Sequence, residues 1–387
     1  MPKRSMAIAT GGLPLTGHAA VAGRLALHRA ALWILLAAKL VTGWGVQWDI
    51  QWHVLIGRDT FWIAPHLMTY AGVTLAGLIS FGLLGWDTVR GGPPAGAIRI
   101  AGLVSTRGVH LAAWGMALTV LAAPIDDLWH RLFGLDVTLW SPPHLLGIAG
   151  GIVNSWGILL MAGELYPAGR WRLAALIVAG TSLYRGLHLT VDPATLTAYT
   201  RGGIFFFALP ILSALVLPAA LVPIARLAGR WAPLAVLALV IISGVIGLEI
   251  ARVGFEALQP VSVIEEEIAR EPGSPIALAT AIARKNGSPP GQVGGLLHLV
   301  SAPPILLFCL IDARRRPLAA TMVYAATLCL TTAWVLGHTP AFAPLVPGAA
   351  DAAMALALAL AAALAGGSLA VRLADALAPD AADPAPR

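Results

Sequence analysis

Long apolar stretches recur along almost the whole chain, and they constrain its fold more than any other feature. A membrane-spanning helix needs about 20 mainly apolar residues. Ten stretches meet this criterion, at residues 27–47, 63–86, 103–123, 143–165, 172–190, 203–225, 231–254, 292–312, 317–338 and 348–371. Only 11% of the residues are charged and the mean hydropathy is +0.80, which leaves no segment polar enough for a sizeable soluble domain. The sequence therefore predicts an all-α, polytopic transmembrane bundle of about ten spans.

The positive charges indicate how these spans are oriented. Arginines are concentrated in alternate connections, as in the run Arg314, Arg315 and Arg316. Because positively charged loops stay on the cytoplasmic side, we expect both termini in the cytoplasm of a bacterial inner membrane. The net charge of +6 is then explained by basic residues that contact anionic lipid headgroups, and no nucleic-acid partner is expected. The N-terminus shows no pattern of a cleaved signal peptide.

The chain divides into four predicted regions. Residues 1–26 form a cytoplasmic segment, 27–166 a four-helix module that carries the candidate metal ligands, 167–372 a second module of about six helices, and 373–387 a disordered tail. Within the second module, the outward loop 256–291 reads as a short amphipathic helix followed by a Gly/Pro-rich loop. The two cysteines, Cys309 and Cys329, both lie in apolar runs, which argues against a disulfide and against a thiolate metal site.

One internal repeat carries most of the chemistry. Residues 49–66 and 126–144 each contain a Trp-His pair, with an Asp four residues before the His, a Gly four after it, an Asp six after it, then a Trp and a final Pro-His. Both copies fall between predicted spans, at the outward end of the bundle. The repeat predicts two tandem helical hairpins that share the same polar decoration.

In the first copy, three side chains are expected to converge. Asp49 and His53 are four residues apart on a helix and so project from the same face. Pro65 opens the next span and places His66 in its first turn, beside the end of the preceding helix. One carboxylate and two imidazoles form a ligand set for copper, zinc or iron.

The second copy offers the equivalent set of Asp126, His130 and His144, and His66 is placed so that both sites can share it. Asp59 and Asp136 are placed to accept an imidazole N–H and fix the histidine tautomers. The alternative interpretation is structural: a Trp-His pair anchors a helix in the headgroup layer, and an Asp four residues before a His forms an ion pair. The matching Asp, Gly and Pro-His of both copies favour metal binding, because anchoring needs no carboxylate at fixed spacing.

The motif Asp49-x3-His53-x12-His66, with Thr60 closing an Arg-Asp-Thr tripeptide between the histidines, resembles a known signature. It is similar to the C subunit of the copper membrane monooxygenases, particulate methane monooxygenase and ammonia monooxygenase. The resemblance covers about residues 27–165. Asp126 and His130 occupy the place of that family's second element, which has Asn where this chain has Asp126.

The resemblance implies one or two copper ions, in preference to zinc or iron, with Asp49, His53 and His66 as the catalytic ligands. It further implies a monooxygenase or monooxygenase subunit that hydroxylates a small apolar substrate or ammonia. Electrons from quinol, an oligomeric assembly and other subunits, including a periplasmic cupredoxin-like one, are implied in the same way. An alternative is a non-catalytic copper protein for uptake, delivery or sensing. A zinc hydrolase is disfavoured because the sequence has no His-Glu-x-x-His motif.

Four charged residues, Lys39, Glu164, Glu249 and Arg252, fall inside predicted spans. Charged groups are costly to bury in a bilayer, so these side chains must face a partner or water. A proton route and structural pairing are equally compatible with the sequence.

Overall fold

A computed structural model of the chain describes residues 15–57, 60–90, 94, 96–133, 140–191, 198–290 and 299–377, without the side chains of residues 15–20 and 130. Helices dominate this part of the chain, which confirms the prediction of an all-α helical bundle. The first half contains the helices α1 Leu15–Leu55, α2 Ala64–Val89, α3 Arg107–Phe133, α4 Pro142–Leu165 and α5 Arg170–Leu189. The second half contains α6 Ala208–Val216, α7 Pro218–Ala228, α8 Ala232–Leu258, α9 Ile264–Arg270, α10 Pro275–Asn286, α11 Ala302–Ile311, α12 Pro317–Gly337 and α13 Ala349–Leu377.

Seven of these helices are long and apolar enough to cross a membrane, namely α1, α2, α3, α4, α8, α12 and α13. The 3-10 helix Gly203–Phe207 continues into α6, and together with α7 it forms an eighth candidate that is bent by 43°. These helices fit a multi-pass membrane protein in contact with lipid. The count of ten spans stays a prediction, because α5 does not pass this test and α11 is only 10 residues long.

Several boundaries differ from the predicted ones. The predicted start of the third span instead forms a strand, β2 Leu103–Ser105, which pairs antiparallel with β1 Ile98–Ile100 just before it. In the segment 256–291, where the sequence predicted an outward loop with one helix, the described residues form two helices, α9 and α10. The helix α13 continues to Leu377, five residues into the predicted disordered tail, and residues 378–387 lie outside the described part.

The two repeated hairpins are tightly packed through glycines. A Cβ added at Gly72 of α2 would collide with backbone atoms of α1 around Ala38 and Thr42. In the second hairpin, a Cβ at Gly157 of α4 would collide with the backbone of Ala112 in α3. Small residues let transmembrane helices approach to backbone contact, so each helix pair is held at short distance and in a fixed register.

Cross-helix contacts show that the two hairpins point the same way. The Arg29 guanidinium donates to the carbonyl of Leu165, and Lys39 Nζ donates to that of Gly151, so α1 and α4 run antiparallel. Because α3 is also antiparallel to α4, the C-terminal ends of α1 and α3 lie at one end of the bundle, with the starts of α2 and α4. All residues of the two repeats that the structure describes are therefore gathered at this end.

Candidate metal centre

The first hairpin brings Asp49 and His66 together across the α1–α2 interface. Oδ1 of Asp49, near the end of α1, lies 3.1 Å from Nε2 of His66, in the first turn of α2. Nδ1 of His53 lies 3.5 Å from the same Oδ1. The imidazole rings of His53 and His66 are 6.4 Å apart between centroids. The Asp49 oxygen is thus the point that both rings approach, as the sequence spacing predicted.

Backbone carbonyls determine which nitrogens of these rings carry hydrogen. Nδ1 of His66 lies 3.1 Å from the carbonyl oxygen of Thr60, and Nδ1 of His53 lies 2.9 Å from that of Asp49. A carbonyl can only accept, so each Nδ1 is assigned as the protonated nitrogen. In the neutral rings, Nε2 is then the nitrogen with a lone pair, and the one in His66 lies beside a carboxylate.

The Asp49–His66 contact therefore requires a positive charge. Oδ1 of Asp49 is buried, and no N–H or O–H group of the described residues donates to it in hydrogen-bond geometry. Two electron-pair donors 3.1 Å apart repel each other unless a proton or a metal cation lies between them. Protonation of His66 to imidazolium or binding of a cation would each satisfy this pair.

The second hairpin repeats the same contact. Nε2 of His144, at the start of α4, lies 3.3 Å from Oδ1 of Asp126 in α3. The side chain of His130 lies outside the described residues, as do Asp59, Asp136 and the Arg58 of the tripeptide. The predicted sharing of His66 between two sites therefore stays a prediction. The same nitrogen and the same oxygen nevertheless face each other in both copies.

The spacing of these donor atoms suits a transition metal. Two ligands at about 2.0–2.1 Å from one ion lie about 2.8–3.4 Å apart in tetrahedral or octahedral geometry. The two observed separations, 3.1 and 3.3 Å, fall inside this range. Within the described residues, however, no group of three or more His, Cys, Asp or Glu side chains is arranged to hold a metal ion. In the first hairpin, His53 is the ligand that stands off, because its Nδ1 is directed at its own helix backbone.

The end of α1 is supported by the second half of the chain. The ring of Trp52 stacks on Phe255 of α8 at 5.7 Å. Beyond α8, the Ser262 hydroxyl donates to the carbonyl of Leu55, and the backbone N–H of Val263 donates to that of Ile56. These contacts satisfy carbonyls that the end of a helix leaves unpaired, and they fix the turn that carries His53.

One neighbour of the site, Tyr70, was not singled out from the sequence. Its ring lies 5.7 Å from that of His66, one helical turn away, and the four-residue spacing in α2 could have indicated it. Thr60 was named as part of the tripeptide, but its contact with His66 is made by its backbone carbonyl, which no side-chain motif reveals.

The charged residues of the predicted spans separate into two kinds. Glu164 accepts from the Thr106 hydroxyl and from the backbone N–H of Gly108, so it caps the start of α3. Lys39 donates to the Gly151 carbonyl inside the bundle. These two contacts are structural pairings. Glu249 and Arg252, in contrast, pair with each other on an exposed face of α8.

No model of a known protein family matches the chain, and neither curated proteins nor solved structures give a match. The assignment of function therefore depends on the sequence motif and on the geometry of the two hairpins.

Proposed function

We propose that this protein is a membrane-embedded copper protein whose sites lie at the ends of the two repeated hairpins. The observation that carries the proposal is the repeated pairing of an aspartate Oδ1 with a histidine Nε2, at 3.1 Å in the first hairpin and 3.3 Å in the second. An ion pair made only for stability does not require the Trp-His and Pro-His pairs to be repeated beside it. Two equivalent metal sites would explain why the chain contains this set of residues twice.

Asp49, His53 and His66 would hold copper in the first site, and Asp126, His130 and His144 in the second. The Asp49 carboxylate supplies one negative charge, which offsets the charge of a monovalent cation at the edge of a low-dielectric bundle. The Thr60 carbonyl holds the His66 tautomer with Nε2 directed toward Asp49. His53 would complete the first site by turning its ring from the helix backbone.

We further propose that the protein is a monooxygenase or a monooxygenase subunit, as the resemblance of the Asp49-x3-His53-x12-His66 motif implies. When bound, copper supplies the redox chemistry that activates dioxygen for insertion of one oxygen atom into a C–H or N–H bond. The helices around the site are apolar, so a small apolar substrate reaches it by partitioning into the bilayer. The residues themselves position the metal and keep bulk water from most of its surroundings.

Metal analysis of the purified full-length protein tests the first proposal. Copper, zinc and iron are measured per protein chain for the wild type and for the variants His66→Ala, Asp49→Asn and His144→Ala. We expect the wild type to retain copper, and each variant to lose at least half of it. Loss of a ligand typically lowers affinity by about tenfold or more.

His338→Ala is the matched control for these variants. Nδ1 of His338 lies 2.6 Å from the carbonyl of Trp334, the same backbone contact four residues back that His53 makes, and His338 is exposed at a helix end. It should retain the full copper content. If His66→Ala and His144→Ala also keep all of their copper, or if the wild type holds none, the metal proposal is wrong.

Oxygen consumption with an added quinol separates the two uses of a copper site. A monooxygenase couples the consumption of dioxygen to a hydroxylatable substrate, and ammonia and short alkanes are the first to be supplied. A protein that retains copper at these ligands and forms no oxygenated product, either alone or in the membranes that contain its natural partners, would instead be the non-catalytic copper protein for uptake, delivery or sensing.

A further inference from the structure

One face of α8 carries a continuous exposed stripe toward its C-terminal end. The exposed positions recur every three or four residues, singly or as adjacent pairs, which is the pattern of a helix face that packs on another helix. The stripe consists of Ile242, Val245, Ile246, Glu249, Arg252, Val253 and Glu256. We call these seven residues the α8 stripe.

In an α8 helix centred in a bilayer, the charged part of the α8 stripe would extend below the headgroup layer. A helix of 27 residues is about 40 Å long, whereas the hydrocarbon core is about 30 Å thick. Glu249 lies nine residues, about 14 Å, before the last residue of α8. In a centred helix it therefore sits about 9 Å inside the hydrocarbon boundary, which is farther than a glutamate side chain reaches.

The charges of the α8 stripe do not cancel. Nε of Arg252 lies 2.8 Å from Glu249, and Nη1 of Arg252 lies 2.7 Å from Glu256. More than half of each of these three side chains is exposed. Two carboxylates share one guanidinium, so a net charge of −1 faces outward from a helix that is otherwise apolar. An uncompensated charge is costly in hydrocarbon and calls for a cation from outside the bundle.

A second copy of this chain is poorly suited to supply that cation. A pair of α8 helices would have four carboxylates and two guanidinium groups at this place, so a second copy would add another net negative charge and would not neutralise the first. Within the described residues, no lysine or arginine other than Arg252 forms an ion pair with Glu249 or Glu256, and Lys39 and Arg185 donate to groups of their own bundle. Among the described residues no further cation pairs with these carboxylates, which favours a different chain as the source of the complementary charge.

We propose that the α8 stripe docks a transmembrane helix of another protein. The partner helix carries a lysine or arginine in the third of its span that lies level with Glu249, and small or apolar residues opposite Ile242 and Val245. This inference does not depend on the proposed function, because α8 contributes no ligand to either candidate metal site.

Association with designed peptides in vesicles tests this proposal. The full-length protein, labelled with an acceptor dye on a C-terminal tag, is reconstituted in phosphatidylcholine with donor-labelled Leu/Ala helices of about 23 residues. One peptide is entirely apolar, and the other has one lysine about six residues from each end, so that either insertion direction matches Glu249. Energy transfer gives the affinity of each peptide. We expect the lysine peptide to bind wild type about three- to tenfold more tightly.

Two variants should change this preference in opposite directions. Glu249→Gln neutralises the stripe and should abolish the preference for lysine, whereas Arg252→Gln leaves two negative charges and should increase it. A purely structural role of the ion pairs would instead make both variants behave alike. Glu265→Gln, a glutamate of α9 outside the spanning helices, is the control and should match wild type.

Three results would overturn the proposal. They are equal affinity of wild type for both peptides, a change in the same direction in Glu249→Gln and Arg252→Gln, and a disulfide between two copies of a Val245→Cys variant. The last result would show that a second copy covers the α8 stripe.

Discussion

At the residue scale, the two candidate sites differ from the resembled family most clearly at Asp126. The family has Asn in this place, so the proposed second site carries one more negative charge. An anionic ligand attracts a cation more strongly than a neutral amide oxygen does, particularly at the edge of an apolar bundle. The proposed second site should therefore bind copper more tightly with Asp126 than it would with an Asn in this place.

The substitution Asp126→Asn measures this contribution. We expect copper affinity at the second site to fall by about tenfold, which corresponds to about 1.4 kcal/mol, while the first site is unchanged. Copper titration against a competing chelator measures the affinities of both sites. The adjacent Asp127 pairs with Arg131 at 2.7 Å on the exposed face of α3, and Asp127→Asn is the matched control, with no expected change. Equal effects of the two substitutions would argue against Asp126 as a ligand.

At the element scale, the hairpins depend on how closely their helices approach. The Asp49–His66 contact joins the end of α1 to the start of α2, so its length follows the separation of the two helices. Gly72 lies against the α1 backbone, whereas nothing lies within 4 Å of a Cβ added at Gly77 in the same helix. These two glycines separate the effect of packing from that of helix propensity.

We expect Gly72→Ala to destabilise the protein by about 1–3 kcal/mol, because the added methyl group overpacks the α1–α2 interface. It should also lower copper binding at the first site, since α2 is displaced from Asp49. Gly77→Ala should be neutral or slightly stabilising. Thermal unfolding in detergent and copper content are measured for both. Unchanged stability of Gly72→Ala would contradict the tight packing of this hairpin.

Hydropathy predicted the helices well because an apolar stretch long enough to cross a bilayer leaves its backbone few alternatives to a helix. It predicted less where the chain is polar. The β1–β2 hairpin is set by Gly102 at φ +82° and by cross-strand bonds, and the α9–α10 pair is set by a cap at Ser274. Such local turn chemistry leaves only a weak trace in composition.

In the candidate site, too, one part could be predicted from the sequence and another part could not. The convergence of Asp49 with His66 followed from helix periodicity and a hairpin, both of which are local in sequence. The support of α1 by Phe255 and Ser262 joins residues about 200 positions apart, and no pattern in the sequence specifies which helices become neighbours. The first site therefore has a long-range part that motif analysis could not supply.

At the scale of the whole molecule, the second half of the chain is joined to the first by polar contacts as well as by packing. The partly buried Arg185 of α5 donates to Gln47 and to the Gly43 carbonyl in α1, and to the Ser243 hydroxyl in α8. Trp44 of α1 also donates to Ser243. Three helices from both halves are thus fixed against one another a few residues below Asp49. The end of α1 is consequently part of a continuous structure and not an isolated hairpin.

This arrangement predicts that a lesion in the second half affects only one of the two sites. Phe255→Ala removes the ring that stacks on Trp52, and should cost about 1–2 kcal/mol and weaken copper binding at the first site severalfold. The second site, built on α3 and α4, should keep its affinity. Val253→Ala, on the exposed face of the same helix, is the control and should leave both sites intact. Copper titration gives the affinity of both sites in the two variants. An equal loss of affinity at both sites of Phe255→Ala would indicate general unfolding. No loss of affinity at the first site would show that the end of α1 holds its ligands without α8.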